Sequence, residues 1–284
     1  MTWSRWMRVR SWTRCSRGPH SSPVAIVRIR PADVQRAIAE NALTLQFQPQ
    51  VESRTGKLVG AEAFVRWPHP AYGMIGPGDI IPLVEQGGFH TEFDRWVFGA
   101  LCVQLKTWEM QSFSVPVLAA NLWAQTLRSP DGVDMVQSVL ENIGVAPKTI
   151  EIEVPRGTVR DQGLAWSAMR LRVVGVRVAS EEFGDRALVK SAAGYDTLKI
   201  GYPVARDLMI AGSSAAAAVS AIVDAARASG ARVVADSVET ADQEDAVLAL
   251  GCEIVQGYLY GPEVSATELK QLATAGAKRA SDEE

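Results

Sequence analysis

The sequence predicts an α/β fold, a TIM-like (β/α)8 barrel, on three observations. Short β-rich runs alternate with amphipathic helical segments along most of the 284 residues, the pattern that parallel strands with crossover helices require. Gly144, Gly175, Gly230 and Gly251 stand where those helices should stop, because glycine takes the left-handed C-terminal position at little cost. Polar and charged residues gather at the C-terminal ends of the strands, the end at which barrels carry their chemistry. A doubly wound open sheet shares the alternation, but no glycine-rich dinucleotide fingerprint follows the first strand.

The first element is a helix over 31–42, with proline at its start and Val34, Ala37, Ile38 and Leu43 at helical spacing. Strands are predicted over 43–50, 58–66, 115–121, 150–154, 176–180, 197–200, 232–236 and 253–256. Helices fall over 92–110, 132–144, 164–174, 215–230 and 240–251. The second strand carries Glu62 and Arg66, which alternation places on one face with Phe64. In an ordinary core the two charges form an internal ion pair; in a site they suit metal and phosphate. Asn121 closes the third strand, Glu153 lies near the end of the fourth, and Glu181 and Glu182 follow the fifth. Lys199 lies in the sixth, Asp236 closes the seventh and Gln256 the eighth. With Glu62, polar groups converge from seven strands, more than packing explains. Oxygen ligands with an amide and a lysine point to Mg²⁺ or Mn²⁺ acting on a phosphate ester.

Composition narrows the class. A chain that is 47% hydrophobic and 21% charged has enough apolar surface for one large core, and a net charge of −3 argues against coating nucleic acid, so no DNA partner is expected. Cys15, Cys102 and Cys252 are few and widely spaced, as expected of a reducing, cytoplasmic compartment without disulfides or structural zinc. No apolar run reaches the roughly 18 residues of a transmembrane helix. Residues 1–30 hold Arg5, Arg8, Arg10, Arg14, Arg17, Arg28 and Arg30 with no acid, interleaved with Trp3, Trp6 and Trp12. They read as a basic, disordered extension, and 274–284 as a frayed tail, leaving 31–273 as the folded domain.

A set of motifs runs through that domain. In order they are Gln48-Pro49, Glu62-Ala63-Phe64-Val65-Arg66-Trp67, Ile81-Pro82-Leu83-Val84-Glu85, Asn121-Leu122, Glu151-Ile152-Glu153, Leu198-Lys199-Ile200, Val238-Glu239-Thr240 and Gln256-Gly257-Tyr258-Leu259. The set resembles the EAL domain, the family of cyclic di-GMP phosphodiesterases. The resemblance implies a TIM-like barrel that binds cyclic di-GMP and, in active members, cleaves one phosphodiester to give linear pGpG. It implies a metal shell of Glu62, Asn121 and Glu153 with the pair Glu181 and Glu182, and catalytic roles for Lys199, Asp236 and Glu182. It also implies ligand contacts from Gln48, Arg66 and Gln256, with Asp79 and Glu85 in the segment that lines the nucleotide pocket. A homodimer or a signalling-protein partner belongs to the same implication.

Departures from the family pattern cluster around the metal. Phe64 stands for the signature leucine, Glu181-Glu182 for an Asp-Asp pair, Asp236 for a glutamate, Pro155-Arg156 for Thr-Glu, and Gly201 for an aspartate. The glycine-rich loop after that pair has become Phe183-Gly184-Asp185-Arg186-Ala187-Leu188, and the stretch to Lys199 is about three residues short. Mg²⁺ demands near-ideal octahedral geometry at about 2.0–2.1 Å, so carboxylates displaced by a methylene weaken such a site. The leading expectation is a degenerate EAL module, a cyclic di-GMP receptor with weak or no phosphodiesterase activity. The alternatives are an active Mg²⁺/Mn²⁺-dependent phosphodiesterase and a scaffold that binds proteins without nucleotide.

Overall fold

The structure is a computed structural model that describes residues 29–154, 161–180, 192 and 194–279. The basic extension, Pro155-Arg156, Glu181, Glu182 and the loop 183–188 lie outside the described residues. Eight strands close into a barrel: β1 (Thr44–Glu52), β2 (Lys57–His69), β4 (Leu118–Asn121), β5 (Ile150–Val154), β6 (Arg177–Ser180), β7 (Thr197–Ile200), β8 (Arg232–Ala235) and β9 (Ile254–Val255). A short β3 (Gly73–Ile75) extends β2 outside the ring. From β2 through β9 the ring is parallel, whereas β1 pairs antiparallel with both β2 and β9. That reversed strand follows from sequence: only Ser53–Gly56 separates β1 from β2, enough for a hairpin and far too little for a crossover helix.

Alternation decides what faces the barrel interior. In β5, Ile150, Ile152 and Val154 point outward into the main hydrophobic core, so Glu151 and Glu153 must point inward. The same rule sends Leu198 and Ile200 out and Thr197 and Lys199 in on β7, and Leu118 and Ala120 out with Asn121 in on β4. On β2, Ala61 and Ala63 pack outward while Glu62, Phe64 and Arg66 share the inner face. The barrel interior is therefore polar, and the apolar core lies between strands and helices.

The helices are α1 (Pro31–Ala39), α2 (Pro77–Gly87), α3 (His90–Met110), α4 (Ala124–Arg128), α5 (Gly132–Ile143), α6 (Gln162–Val174), α7 (Tyr202–Asp207), α8 (Ala215–Ser229), α9 (Ala241–Ala249) and α10 (Ala266–Ala275). A second apolar cluster, including Val34, Ile38, Trp67, Ile80, Val84 and Phe93, seats α1 and α2 over the outer face of β2. The packed chain continues past residue 273: α10 ends at Ala275, the Ala277 N–H donates to Gly56 O at 2.8 Å, and Arg279 pairs with Glu244 at 2.6 Å. Cys102 and Cys252 are buried free thiols, and burial pushes each up to about 12. No helix among the described residues is long and apolar enough to cross a membrane.

One backbone position holds the end of β9. Gly257 has φ +151°, and a Cβ there would come within 2.2 Å of Val238 O and 2.4 Å of Val238 N. The close approach lets the Val238 N–H donate to Gln256 O at 3.0 Å, which ties the residue after β9 to the turn after β8. Gly257→Ala is expected to destabilise the fold by about 2–4 kcal/mol, because backbone rather than a movable side chain must give way. Urea unfolding measures this, and a loss under about 0.5 kcal/mol would show that the turn relaxes freely.

Candidate functional site

The centre of the barrel mouth is Lys199, only 1% exposed. Its Nζ donates to Glu62 Oε2 at 2.8 Å and to Glu153 Oε1 at 2.7 Å, and lies 3.9 Å from Asp236 Oδ2. Three strands thus deliver three carboxylates around one ammonium. Burial would make each charge costly alone, and direct pairing compensates part of that cost. Among the described residues, these three carboxylates and one ammonium sum to a formal charge of −2. Oxygen donors with that charge fit the chemistry of a hard divalent cation.

Amides complete the ring. Asn121 Nδ2 donates to Glu62 Oε1 at 2.7 Å, which commits its nitrogen and leaves its carbonyl oxygen as the acceptor. Gln256 Nε2 donates to Glu62 Oε2 at 2.7 Å and to Gln48 Oε1 at 3.0 Å. Gln48 faces Glu62 directly in the β1–β2 register. Gln48, Glu62, Asn121, Glu153, Lys199, Asp236 and Gln256 are therefore brought together in one group at the barrel mouth. Among the described residues, no three His, Cys, Asp or Glu side chains are placed to hold a metal ion as they stand, and the Lys199 ammonium lies between Glu62 and Glu153.

Arg66 has a different setting. The internal pair with Glu62 that the second strand suggests is replaced by remote partners, Lys199 for Glu62 and Glu263 for Arg66. Arg66 Nη2 lies 3.1 Å from Glu263 Oε2, with both side chains under a tenth exposed, and its Nη1 donates to Val65 O at 2.9 Å. The guanidinium stands 5.9 Å over the Phe64 ring, so the changed signature residue packs beneath it. Burial pulls the Arg66 guanidinium below its ordinary value, and the Glu263 carboxylate opposes that pull. Asp79 and Glu85 stand apart on α2, Asp79 exposed and Glu85 half-buried. Glu181 and Glu182 lie outside the described residues.

Sequence reasoning missed Glu263, Gln50 and Asp94. Gln50 was within reach, since it shares the period-two face of Gln48. Asp94 is fully buried in α3 and accepts the Trp123 N–H at 2.8 Å, which anchors the turn that follows Asn121. Burial pushes its carboxyl up to about 7 against the opposing help of Thr126 and the Trp123 N–H.

The EAL domain family model matches residues 32–263. The chain is 31% identical over 242 residues to the bifunctional diguanylate cyclase/cyclic di-GMP phosphodiesterase MucR of Pseudomonas aeruginosa, covering 84% of this chain and 35% of that protein. Among solved structures, the PaMucR phosphodiesterase in complex with c-di-GMP is similar with a TM-score of 0.76 at 30% identity, over 84% of this chain and 98% of that one. The EAL domain of Mycobacterium smegmatis DcpA is similar with a TM-score of 0.66 at 26% identity, over 83% of this chain and 99% of that one. The chain spans roughly a third of the length of the curated relatives it matches.

Two stability measurements test this geometry. Lys199→Met leaves Glu62 and Glu153 facing each other in the buried mouth, and should cost about 3–5 kcal/mol in urea unfolding; a loss under about 1 kcal/mol would mean that other groups neutralise them. For Asp94 the native state holds a proton that the unfolded chain releases between its ordinary 3.8 and about 7. Its contribution to stability therefore falls as pH rises through that window and is level above it. Asp94→Asn, which keeps the acceptor for Trp123, should gain on the order of 2–4 kcal/mol over wild type between pH 4 and 8. Parallel pH dependences in the two proteins would refute the assignment.

Proposed function

This chain belongs to the EAL domain family, and we propose that it binds cyclic di-GMP at the barrel mouth while hydrolysing it weakly or not at all. The observation that carries the reading is the single hydrogen-bonded net joining Gln48, Gln256, Glu62, Asn121, Lys199 and Glu153. Its members are the residues to which the sequence resemblance assigns nucleotide and metal contacts, which supports the reading. The PaMucR complex holds c-di-GMP in a domain that this chain covers almost end to end, which supports the same ligand here.

Each residue has a definite task in this reading. Arg66, a planar fork already buried, grips phosphate oxygens in place of or beside Glu263. Gln48 hydrogen-bonds guanine or phosphate at the rim. Glu62, Asn121 and Glu153 would hold Mg²⁺ or Mn²⁺, and such an ion, when bound, supplies Lewis-acid activation of water and draws charge from the phosphodiester. Lys199 orients the attacking water and Asp236 stands behind it as an acceptor.

Weak turnover is supported by the same residues. Lys199 sits on both of the carboxylates that would serve the ion, so it competes with the ion for them. Asp236 is a methylene shorter than the family glutamate, Glu181-Glu182 are longer than the family aspartates, and Gly201 removes a further carboxylate. A working phosphodiesterase is the second reading, favoured by the lysine held among oxygen ligands from three strands.

Isothermal titration of cyclic di-GMP with Mg²⁺, and again with EDTA, separates these readings. Saturable heat that persists in EDTA is the expected result. Heat that needs metal and continues after each injection would establish turnover, and no heat in either buffer would overturn nucleotide binding and leave a protein scaffold.

A further inference from the structure

Beneath the mouth, the barrel floor holds a second group of polar side chains that the proposed chemistry does not use. Arg232 enters from the start of β8 and donates through Nη2 to Gln50 Oε1 at 3.2 Å. Gln50 is fully buried, and its Nε2 donates to Gln256 Oε1 at 3.0 Å. Gln256 Nε2 then donates upward to Glu62 Oε2 and to Gln48 Oε1. Room for this chain exists because β2 carries glycine opposite Gln50: a Cβ on Gly60 would stand 2.6 Å from Gln50 Oε1.

The direction of this chain is forced at both ends. A guanidinium has only donors, so the Gln50 carbonyl must face Arg232 and its amino group must face Gln256. A carboxylate only accepts, so the Gln256 amino group must face Glu62. Inverting Gln256 would set its carbonyl against the Glu62 carboxylate and its amino group against that of Gln50, and inverting Gln50 would set donor against donor at Arg232 and carbonyl against carbonyl at Gln256. The Gln48 carbonyl is consumed by Gln256, and its amino group is what remains for a ligand.

We infer that Arg232 and Gln50 are positioning residues that set the donor–acceptor polarity of the nucleotide site, so that Gln48 presents an N–H rather than a carbonyl to the ligand. The inference rests on the cyclic di-GMP reading for its ligand, and on this chain's own hydrogen bonds for the polarity. The matching ligand group is an acceptor, a guanine O6 or N7 or a phosphate oxygen. Arg232 and Gln50 touch neither ligand nor reacting atoms; they act through Gln256.

Gln50→Glu is the sharpest probe, because it is nearly isosteric, still accepts from Arg232, and as a carboxylate has no proton to give Gln256. It should weaken cyclic di-GMP binding tenfold or more in EDTA by titration calorimetry. In the ligand-free protein it should also shift the side-chain amide NMR signals of Gln48 and Gln256, with the backbone spectrum otherwise retained. Arg232→Met should do the same, while Arg232→Lys, which keeps a donor, should retain both affinity and amide signals. Affinity within twofold of wild type together with unmoved amide signals, in both Gln50→Glu and Arg232→Met, would overturn the inference. Shifted amide signals with no binding heat even for wild type would overturn the cyclic di-GMP reading and support the polarity of the net.

Discussion

The ammonium of Lys199 is the constraint on which the barrel interior depends. Glu62 on β2 and Glu153 on β5 are almost wholly removed from water, and each reaches the same cation. Opposed carboxylates in a dry interior repel, and one central cation converts that repulsion into a cross-barrel tie. Asn121 donates to Glu62 Oε1 and Gln256 shares Glu62 Oε2 with Lys199, so strands far apart in sequence are held in one register by polar bonds. The apolar core outside the strands holds the helices in place. The polar core inside holds the site in place.

Much of this was legible because alternation writes the same rule into each strand. Ile-Glu-Ile-Glu-Val at 150–154 and Thr-Leu-Lys-Ile at 197–200 can bury their aliphatic residues against helices only by turning acid and lysine inward, and both strands have the predicted limits. Where alternation was absent, the reading failed. The helix Pro77–Gly87 carries Pro82 inside it, which disguises the helical pattern. The predicted start of the third strand at 115 is early: Val115 and Val117 are buried, and the ladder begins at Leu118.

Partners were harder to read than positions. Glu62 and Arg66 share a face, so a local pair is the economical guess, yet Glu62 meets a lysine 137 residues away. Glu263 lies in the loop after β9, where no periodicity marks it, and only the return of Val264 to bridge Phe47 of β1 carries it to Arg66. Arg232 reads as an ordinary strand-opening residue until Gln50 is seen beneath Gln256. Side-chain polarity along a barrel axis is a property of several strands at once, and no single stretch encodes it.

The reversed β1 strand has one further consequence. Because it runs from mouth to floor, Gln48 and Gln50 lie on one strand yet serve opposite ends of the same net, and the four-residue hairpin turn fixes both at once. Strand side chains alternate with period two, so gaining or losing one residue in that turn would send both glutamines to the outer face together. A turn of different length would therefore preserve the site only by absorbing the odd residue locally, as the register shift already present between Gln50 and Val51 does here.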